Sequence, residues 1–476
     1  MSLGVNWLRA WFYGLVITAM FAFYAMNSGI TITNDGSHFA LFDAVVSNGS
    51  PELVQVRQFA FGDSALYEGR YYSDRNPGLA LLTAAAYKVT GGLEPVLAPI
   101  RLDPKFARNY SYGQRKSIPF VMLVPALFAG LLLLVMYGLS RELGASELSA
   151  MLASPSVLFG TILLRYSTLF YSHIVAAALL SLSVLLFFRF RKRGGWVCLG
   201  NACFLFSLAV LVEHLMVLAG LPLAIYLLFC ARERLLRPLS LLVAAAAAMI
   251  PMAVLMVYNW VCFDSPFSIA HFHHSTDAAN HQLSTLLRVS HSFDAAINLF
   301  FGAPKAEVGR QDLVGLFSHS PFLLLCLALA PLAVPGWRYK AEGVVLLAAF
   351  LLLVAGGASV FAPYGGWDRD YRYFVAGVPL LAPLVALVLD FLGRLHRGRA
   401  AALARVAVVG LILVLFLYSV RLQFEHLRHP GQIPYDSLWV NLGASFQNVG
   451  VALALVLLLM GVIYFAYSKF SGRSDR

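Results

Sequence analysis

Asp35 stands where an apolar run ends, in "TITNDGSHFALF" (31–42), ahead of a segment with helical apolar spacing. A carboxylate there has two readings. Asp is a preferred helix N-cap, although Asn34 would cap as well. A carboxylate held at a helix start beside lipid is also placed to take a proton from a hydroxyl. A second polar stretch, "YEGRYYSDRNPG" (67–78), carries Glu68, Arg70, Asp74 and Arg75 before a proline-started helix whose N-terminus favours anions. Arg75 beside that dipole suits a phosphate, through charge-assisted hydrogen bonds. The plainer alternative is a surface ion pair with Asp74, which contributes almost nothing. Tyr71 and Tyr72 read equally well as interface anchors.

Further along, Arg165 and His173 bracket "RYSTLFYSH" and suit the same phosphate, with a polar helix-end cap as the alternative. Glu213 and His214 read as a structural pair at a helix end. Arg369 and Arg372 in "WDRDYRY" suit phosphate as well, while Asp368 and Asp370 are placed to neutralise them. The loop 271–291 holds His271, His273, His274, His281 and His291, enough ligands for a divalent metal. It lacks the two-plus-two spacing of zinc motifs, so no metal or other cofactor is assigned.

The elements that must position these residues are membrane helices. Hydrophobic residues make up 59% of the 476-residue chain and charged ones 12%, with a mean hydropathy of +0.74. A soluble chain needs far more charge to cover its surface. Apolar runs at 8–28, 117–139, 148–165, 172–190, 196–213, 215–231, 239–260, 320–336, 341–360, 374–392, 404–421 and 448–468 predict about twelve spanning helices in one all-α membrane domain over 1–476. No separate soluble domain is expected.

The net charge of +11 gathers in short breaks: Arg189 to Arg193; Arg232, Arg234 and Arg237; Arg338 and Lys340; Arg394, Arg397 and Arg399. That is how cytoplasmic loops are marked, with anionic lipid headgroups as partners. No basic patch interleaved with aromatics suggests nucleic acid. Under this count both termini are cytoplasmic, and loops 29–116 and 261–319 lie outside. The first loop predicts two amphipathic interfacial helices. One has Phe39, Phe42, Val45 and Val46 on one face. The other, capped by Asn76 and opened by Pro77, has Leu79, Leu82, Ala86 and Val89. The five cysteines form no disulfide framework or CxxC site. The N-terminal run lacks a cleavage signature and reads as a retained first helix.

"NDGSHFAL" and "YYSDRNPG" together resemble the polyprenyl-phosphate-dependent GT-C glycosyltransferases, which include protein O-mannosyltransferases and the lipid A aminoarabinose transferase. The resemblance continues in "YSTLFYSH" (166–173), "YNWVCFDSPF" (258–267), "GLFSHSPFLLL" (315–325) and "GGWDRDYRYFVAGVPLLAPL" (365–384), in order along nearly the whole chain. It implies a GT-C bundle in the cytoplasmic (inner) membrane with an outward-facing active site and Asp35 as catalytic base. Asp74-Arg75 falls where the family has an acidic residue followed by a lysine facing the donor phosphate. His38, His173 and Arg372 join Arg75 there, and Asp74, Glu68 and Tyr72 support them. Where the family often shows Asp-Glu-x-Arg-Tyr, this chain has Asp35-Gly36-Ser37-His38-Phe39, so the second carboxylate is missing and His38 replaces a permanent cation. The implied partners are a polyprenyl-phosphate sugar donor, a lipid, glycan or protein acceptor, and membrane lipids.

The residues fit that chemistry independently. A sugar on a lipid phosphate has a leaving group that departs as an anion, since phosphate ionises near pH 6. What is needed is a base for the acceptor hydroxyl and fixed positive charge on the phosphate. A flippase or transporter is the competing class and predicts ionisable groups inside the spans, which here are almost free of charge. A polysaccharide polymerase or ligase is nearer, because it uses similar donors.

Overall fold

The computed structural model describes residues 2–26, 30, 34–54, 57–60, 62–91, 112–275, 289–303, 313, 315–360, 362–364, 370–394 and 399–428. In chain order the helices are α1 (Ser2–Met26), α2 (Asn34–Asn48), α3 (Gly78–Thr90), α4 (Tyr112–Glu142), α5 (Glu147–Phe159), α6 (Ser172–Arg193) and α7 (Trp196–Val212). They continue with α8 (Gly220–Cys230), α9 (Pro238–Phe263), α10 (Ser292–Phe301), α11 (Pro321–Ala333), α12 (Lys340–Ser359), α13 (Ala382–Arg394) and α14 (Arg399–Arg428), with shorter helical pieces between them. An antiparallel hairpin, β1 (Ser64–Tyr67) and β2 (Arg70–Ser73), precedes α3 and pairs Ser64 with Ser73.

Among the described residues seven helices are long and apolar enough to cross a membrane: α1, α4, α6, α9, α12, the helix that ends in α13, and α14. The segments expected at 148–165, 196–213, 215–231 and 320–336 form shorter apolar helices, and 448–468 lies outside the described residues. The breaks have local causes. α5 stops at Gly160, where a Cβ would come within 2.5 Å of the Phe322 ring and 2.6 Å of the Ser156 carbonyl. The chain then makes a short turn, Leu163–Tyr166, that carries Arg165 and Tyr166 into the core. α7 ends at Glu213 in extended backbone, φ −150° and ψ 109°.

α6 is the buried centre, packed against α4, α7 and the turn 372–381 that leads into α13. α9 and α14 are apolar yet mostly exposed, as helices facing lipid must be. The three basic runs that the structure describes around 191, 234 and 340 converge at the C-terminal end of α6. Arg191 pairs with Glu342, Lys192 Nζ lies 3.1 Å from Glu142 Oε1, and Arg234 Nη1 donates to the Arg191 carbonyl at 2.6 Å.

The first loop forms helices where two are expected, α2 and α3, but buries other faces than the expected stripes. Residues 34–44 of α2 are buried on every face. Its apolar side meets Phe59 and Tyr87, with Phe39–Phe59 and Phe42–Tyr87 centroids 5.5 and 5.6 Å apart. Its polar side is covered by the hairpin. α3 starts at Gly78 with Pro77 at the cap position and no side-chain cap, so Asn76 does not cap it. The face it buries is Leu79, Ala80, Thr83 and Ala84, while Val89 is 86% exposed. Small residues decide the packing face here, because the helix approaches its neighbour too closely for large ones. At Gly78 a Cβ would stand 2.6 Å from Val212 N and 2.7 Å from the Leu211 carbonyl.

Candidate active site

Asp35 is fully buried in the first turn of α2, which already starts at Asn34. A helix cap accepts from the amide two or three residues on. The bond described at Asp35 Oδ1 comes instead from the next amide, Gly36 N, at 2.9 Å. His38 lies one turn on and shares a face with Asp35. Its ring meets Phe170 edge-on, and neither ring nitrogen has a hydrogen-bond partner among the described residues. Burial, helped by the charge of Arg75, pushes His38 down to about 3, so the ring is neutral.

The hairpin delivers the next group. Its two-residue turn places Glu68 at φ 48° and Gly69 at φ 79°, the twist that a tight hairpin demands. Glu68 and Arg70 are therefore carried to an exposed tip, away from the cluster that Glu68 was expected to support. Tyr72, two residues nearer the core, is buried against Phe263. Ser73 and Asp74 follow at the base of the strand. Ser37 Oγ lies 2.8 Å from Ser73 Oγ and donates to Asp74 Oδ1 at 3.1 Å, locking α2 to the hairpin.

Arg75 is no surface ion-pair residue. Its Nη2 donates to Asp63 Oδ2 at 2.5 Å and its Nε lies 3.2 Å from Asp74 Oδ1. Burial opposes its charge, the two carboxylates more than offset that, and the guanidinium is held above its ordinary value. Burial works against the charge of Asp63 as well, but Arg75 outweighs it and holds the carboxyl below its ordinary value. Asp74 is raised, chiefly by burial. Asp63 was missed by sequence reasoning: "AFGDSAL" has no feature that points to a partner twelve residues away.

The second wall comes from the Arg165 turn and the segment before α13. Asp370 accepts from Tyr166 Oη at 2.8 Å and from the Arg372 backbone N–H at 3.0 Å, and lies 3.5 Å from Arg165 Nη1. The charges of Arg372 and Arg75 oppose one another across the site. Asp368 and Arg369 lie outside the described residues. His173 Nδ1 is 3.5 Å from Glu213 Oε2, which also accepts from Ser172 Oγ at 2.8 Å. Glu213 therefore pairs with His173 rather than with His214. The extended backbone at Glu213 turns neighbouring side chains to opposite sides.

The loop histidines are divided. His274 Nε2 lies 3.6 Å from Asp74 Oδ2, and with Asp63 the three offer ligand atoms within 4.8 Å of one another, enough to hold a divalent metal. Arg75 binds the same two carboxylates, so a metal would compete with it. His273 Nε2 is bonded to Ser268 Oγ at 2.7 Å, His271 is driven down to about 3 by burial and by Arg75, and His281 lies outside the described residues. An apolar groove of about 500 Å³ is lined by Val45, Leu81, Val254, Val257 and Val261. Leu81 belongs to α3, the helix that follows Arg75 directly.

No family model and no curated protein matches the chain by sequence. Solved structures do match in fold. ArnT from Cupriavidus metallidurans, bound to undecaprenyl phosphate, is 12% identical with a TM-score of 0.55, over 97% of this chain and 76% of that one. The Archaeoglobus fulgidus oligosaccharyltransferase AglB, in complex with an inhibitory peptide and a dolichol-phosphate, is 14% identical with a TM-score of 0.53. That match covers 90% of this chain, which spans only 57% of AglB. Both are GT-C glycosyltransferases, and the chain has the GT-C fold.

Proposed function

We propose that the protein is a membrane glycosyltransferase that moves a sugar from a polyprenyl-phosphate donor to a hydroxyl of a lipid, glycan or protein acceptor. The observation that carries this reading is a set of buried polar atoms that the protein leaves unmatched. Both His38 ring nitrogens and His173 Nε2 lack partners among the described residues, in a site where the charges of Arg75 and Arg372 oppose one another. Leaving such atoms unmet costs about 1–3 kcal/mol each, so a polar ligand is their natural complement. An anion matches the arginines, and the apolar groove beside α3 suits its lipid chain.

In the proposed reaction Asp35 takes the proton of the acceptor hydroxyl as its oxygen bonds to the anomeric carbon. The carbon–oxygen bond to phosphate breaks, and the lipid phosphate keeps the electron pair. Arg75, Arg372, His38 and His173 meet the charge that develops, with no general acid required. A single displacement by a deprotonated hydroxyl inverts the anomeric configuration. Asp74 positions Arg75, and Tyr72 packs the strand that carries both. The GT-C fold and the undecaprenyl phosphate in ArnT support a lipid-phosphate donor.

The basic end of α6 is proposed to face the cytoplasm, with both termini on that side and the site on the outer face of the inner membrane. In a cysteine-free background, Cys at position 54 should label from outside and Cys at position 193 only from inside; labelling from one side overturns this orientation. The function itself is tested with purified protein, a polyprenyl-phosphate monosaccharide and a mixture of candidate acceptors. Release of free polyprenyl phosphate together with a new glycoside supports transfer. Movement of intact donor across vesicles, with no bond broken, would instead make the protein a flippase.

A further inference from the structure

Glu213 is a carboxylate that the proposed transfer does not use. Its Oε2 accepts from Ser172 and lies beside His173 Nδ1, at the residues that open α6, so it also sits at the positive end of that helix. His173 is buried, and its Nε2 has no hydrogen-bond partner among the described residues. A carboxylate beside one ring nitrogen keeps a proton on that nitrogen and leaves the other with a lone pair while the ring is neutral. A lone pair cannot hold a phosphate oxygen; a protonated Nε2 can.

The groups that face this ring decide when the proton arrives. They are Glu213 from the end of α7, Asp370 and Arg372 ahead of α13, His38 on α2 and Arg75 ahead of α3, with the rings of Tyr166 and Tyr171. Two arginines oppose a further positive charge there. A bound phosphate cancels that opposition, and Glu213, whose burial raises it above its ordinary value, supports an imidazolium once it is ionised.

We infer that Glu213 is a positioning residue, holding His173 so that Nε2 takes up a proton as a lipid phosphate binds and donates that hydrogen bond to it. The proton comes from solvent and returns when the phosphate leaves, so the overall transfer is unchanged. This inference rests on the phosphate site proposed above, and the two can fail separately.

The full-length protein in detergent is titrated with a polyprenyl monophosphate by calorimetry, at pH 7, in two buffers of different ionisation enthalpy. The difference in heat gives the protons taken up, and the ligand's own ionisation is common to all variants. Glu213→Gln should lose proton uptake and bind on the order of ten-fold more weakly, as loss of a charged hydrogen bond predicts. The deficit should close as the pH is lowered. His173→Gln, which keeps an N–H at the equivalent atom without titrating, should also lose the uptake, and adding Glu213→Gln to it should change nothing further. Weaker binding at every pH with parental proton uptake makes Glu213 merely structural and overturns the inference. If Glu213→Gln does not fold, parental uptake by His173→Gln overturns it equally. A parent that binds no polyprenyl monophosphate overturns both the site and the inference. A parent that binds with proton uptake yet transfers no sugar leaves the inference standing and overturns the transfer reading.

Discussion

The two ends of α6, about 33 Å apart by the rise of its 22 residues, are both rich in charge and differ in which polar atoms are left unmatched. At the C-terminal end, acids answer bases. Glu342 takes Arg191 and the Tyr226 hydroxyl, and Glu142 takes Arg189, Lys192 and Arg193. At the N-terminal end acids also hold the bases, Asp63 and Asp74 on Arg75 and Asp370 beside Arg165, but both His38 ring nitrogens and His173 Nε2 are buried without partners among the described residues. A matched cluster stabilises and orients the bundle. An unmatched one forgoes stability to keep polar atoms available for a ligand. Charge content and ion pairing do not separate the two ends; the ring nitrogens without partners do.

The comparison breaks first at Asp35. Asp35→Asn should leave melting temperature and donor binding near parental while transfer falls on the order of 10²-fold or more, as loss of a positioned base predicts. An Asn variant that turns over normally would move the search for the base to Asp74.

Arg75 tests the unmatched end more finely, because it also holds Asp63 and the buried Asp74. Arg75→Ala should weaken donor binding by roughly 1.5–3 kcal/mol, the range for a charged hydrogen bond, and Arg75→Lys should recover part of it. A loss of melting temperature with unchanged donor affinity would reduce Arg75 to a strut between two acids.

Arg191→Ala is the mirror experiment. It leaves the buried Glu342 with only its tyrosine hydroxyl, so stability should fall by about 1–3 kcal/mol in thermal unfolding. Donor affinity should not move. A change in donor affinity would mean that the two ends are coupled through α6.

The smallest effect is a slope. His38 titrates near 3 in the folded protein and near its ordinary 6.5 when unfolded. The unfolded chain therefore binds more protons through this window. The stability this ring contributes is complete above 6.5 and is lost as the pH falls towards 3. The melting temperature should drop between pH 7 and pH 5, and less steeply in His38→Gln. Equal slopes would place His38 in contact with water.

Hydropathy made the membrane class and the positions of the long helices legible, because burying apolar surface in lipid is a property of each segment alone. The basic runs at 191, 234 and 340 announced a common end for the same reason. Sequence also singled out Asp35, Asp74, Arg75, His173 and Arg372, since short polar stretches stand out in so apolar a chain. The tertiary structure decided the rest. It buried α2 on all faces, carried Glu68 out on a hairpin tip, and turned α3 on a face of small residues. It brought Asp63 to Arg75, Asp370 to Arg165 and Glu213 to His173. Those pairings join residues 12, 205 and 40 positions apart, and no local pattern encodes them. Whether a buried charge is matched depends on such distant partners, so the sequence marked the polar residues and only the fold divided them into those that stabilise and those left open to a ligand.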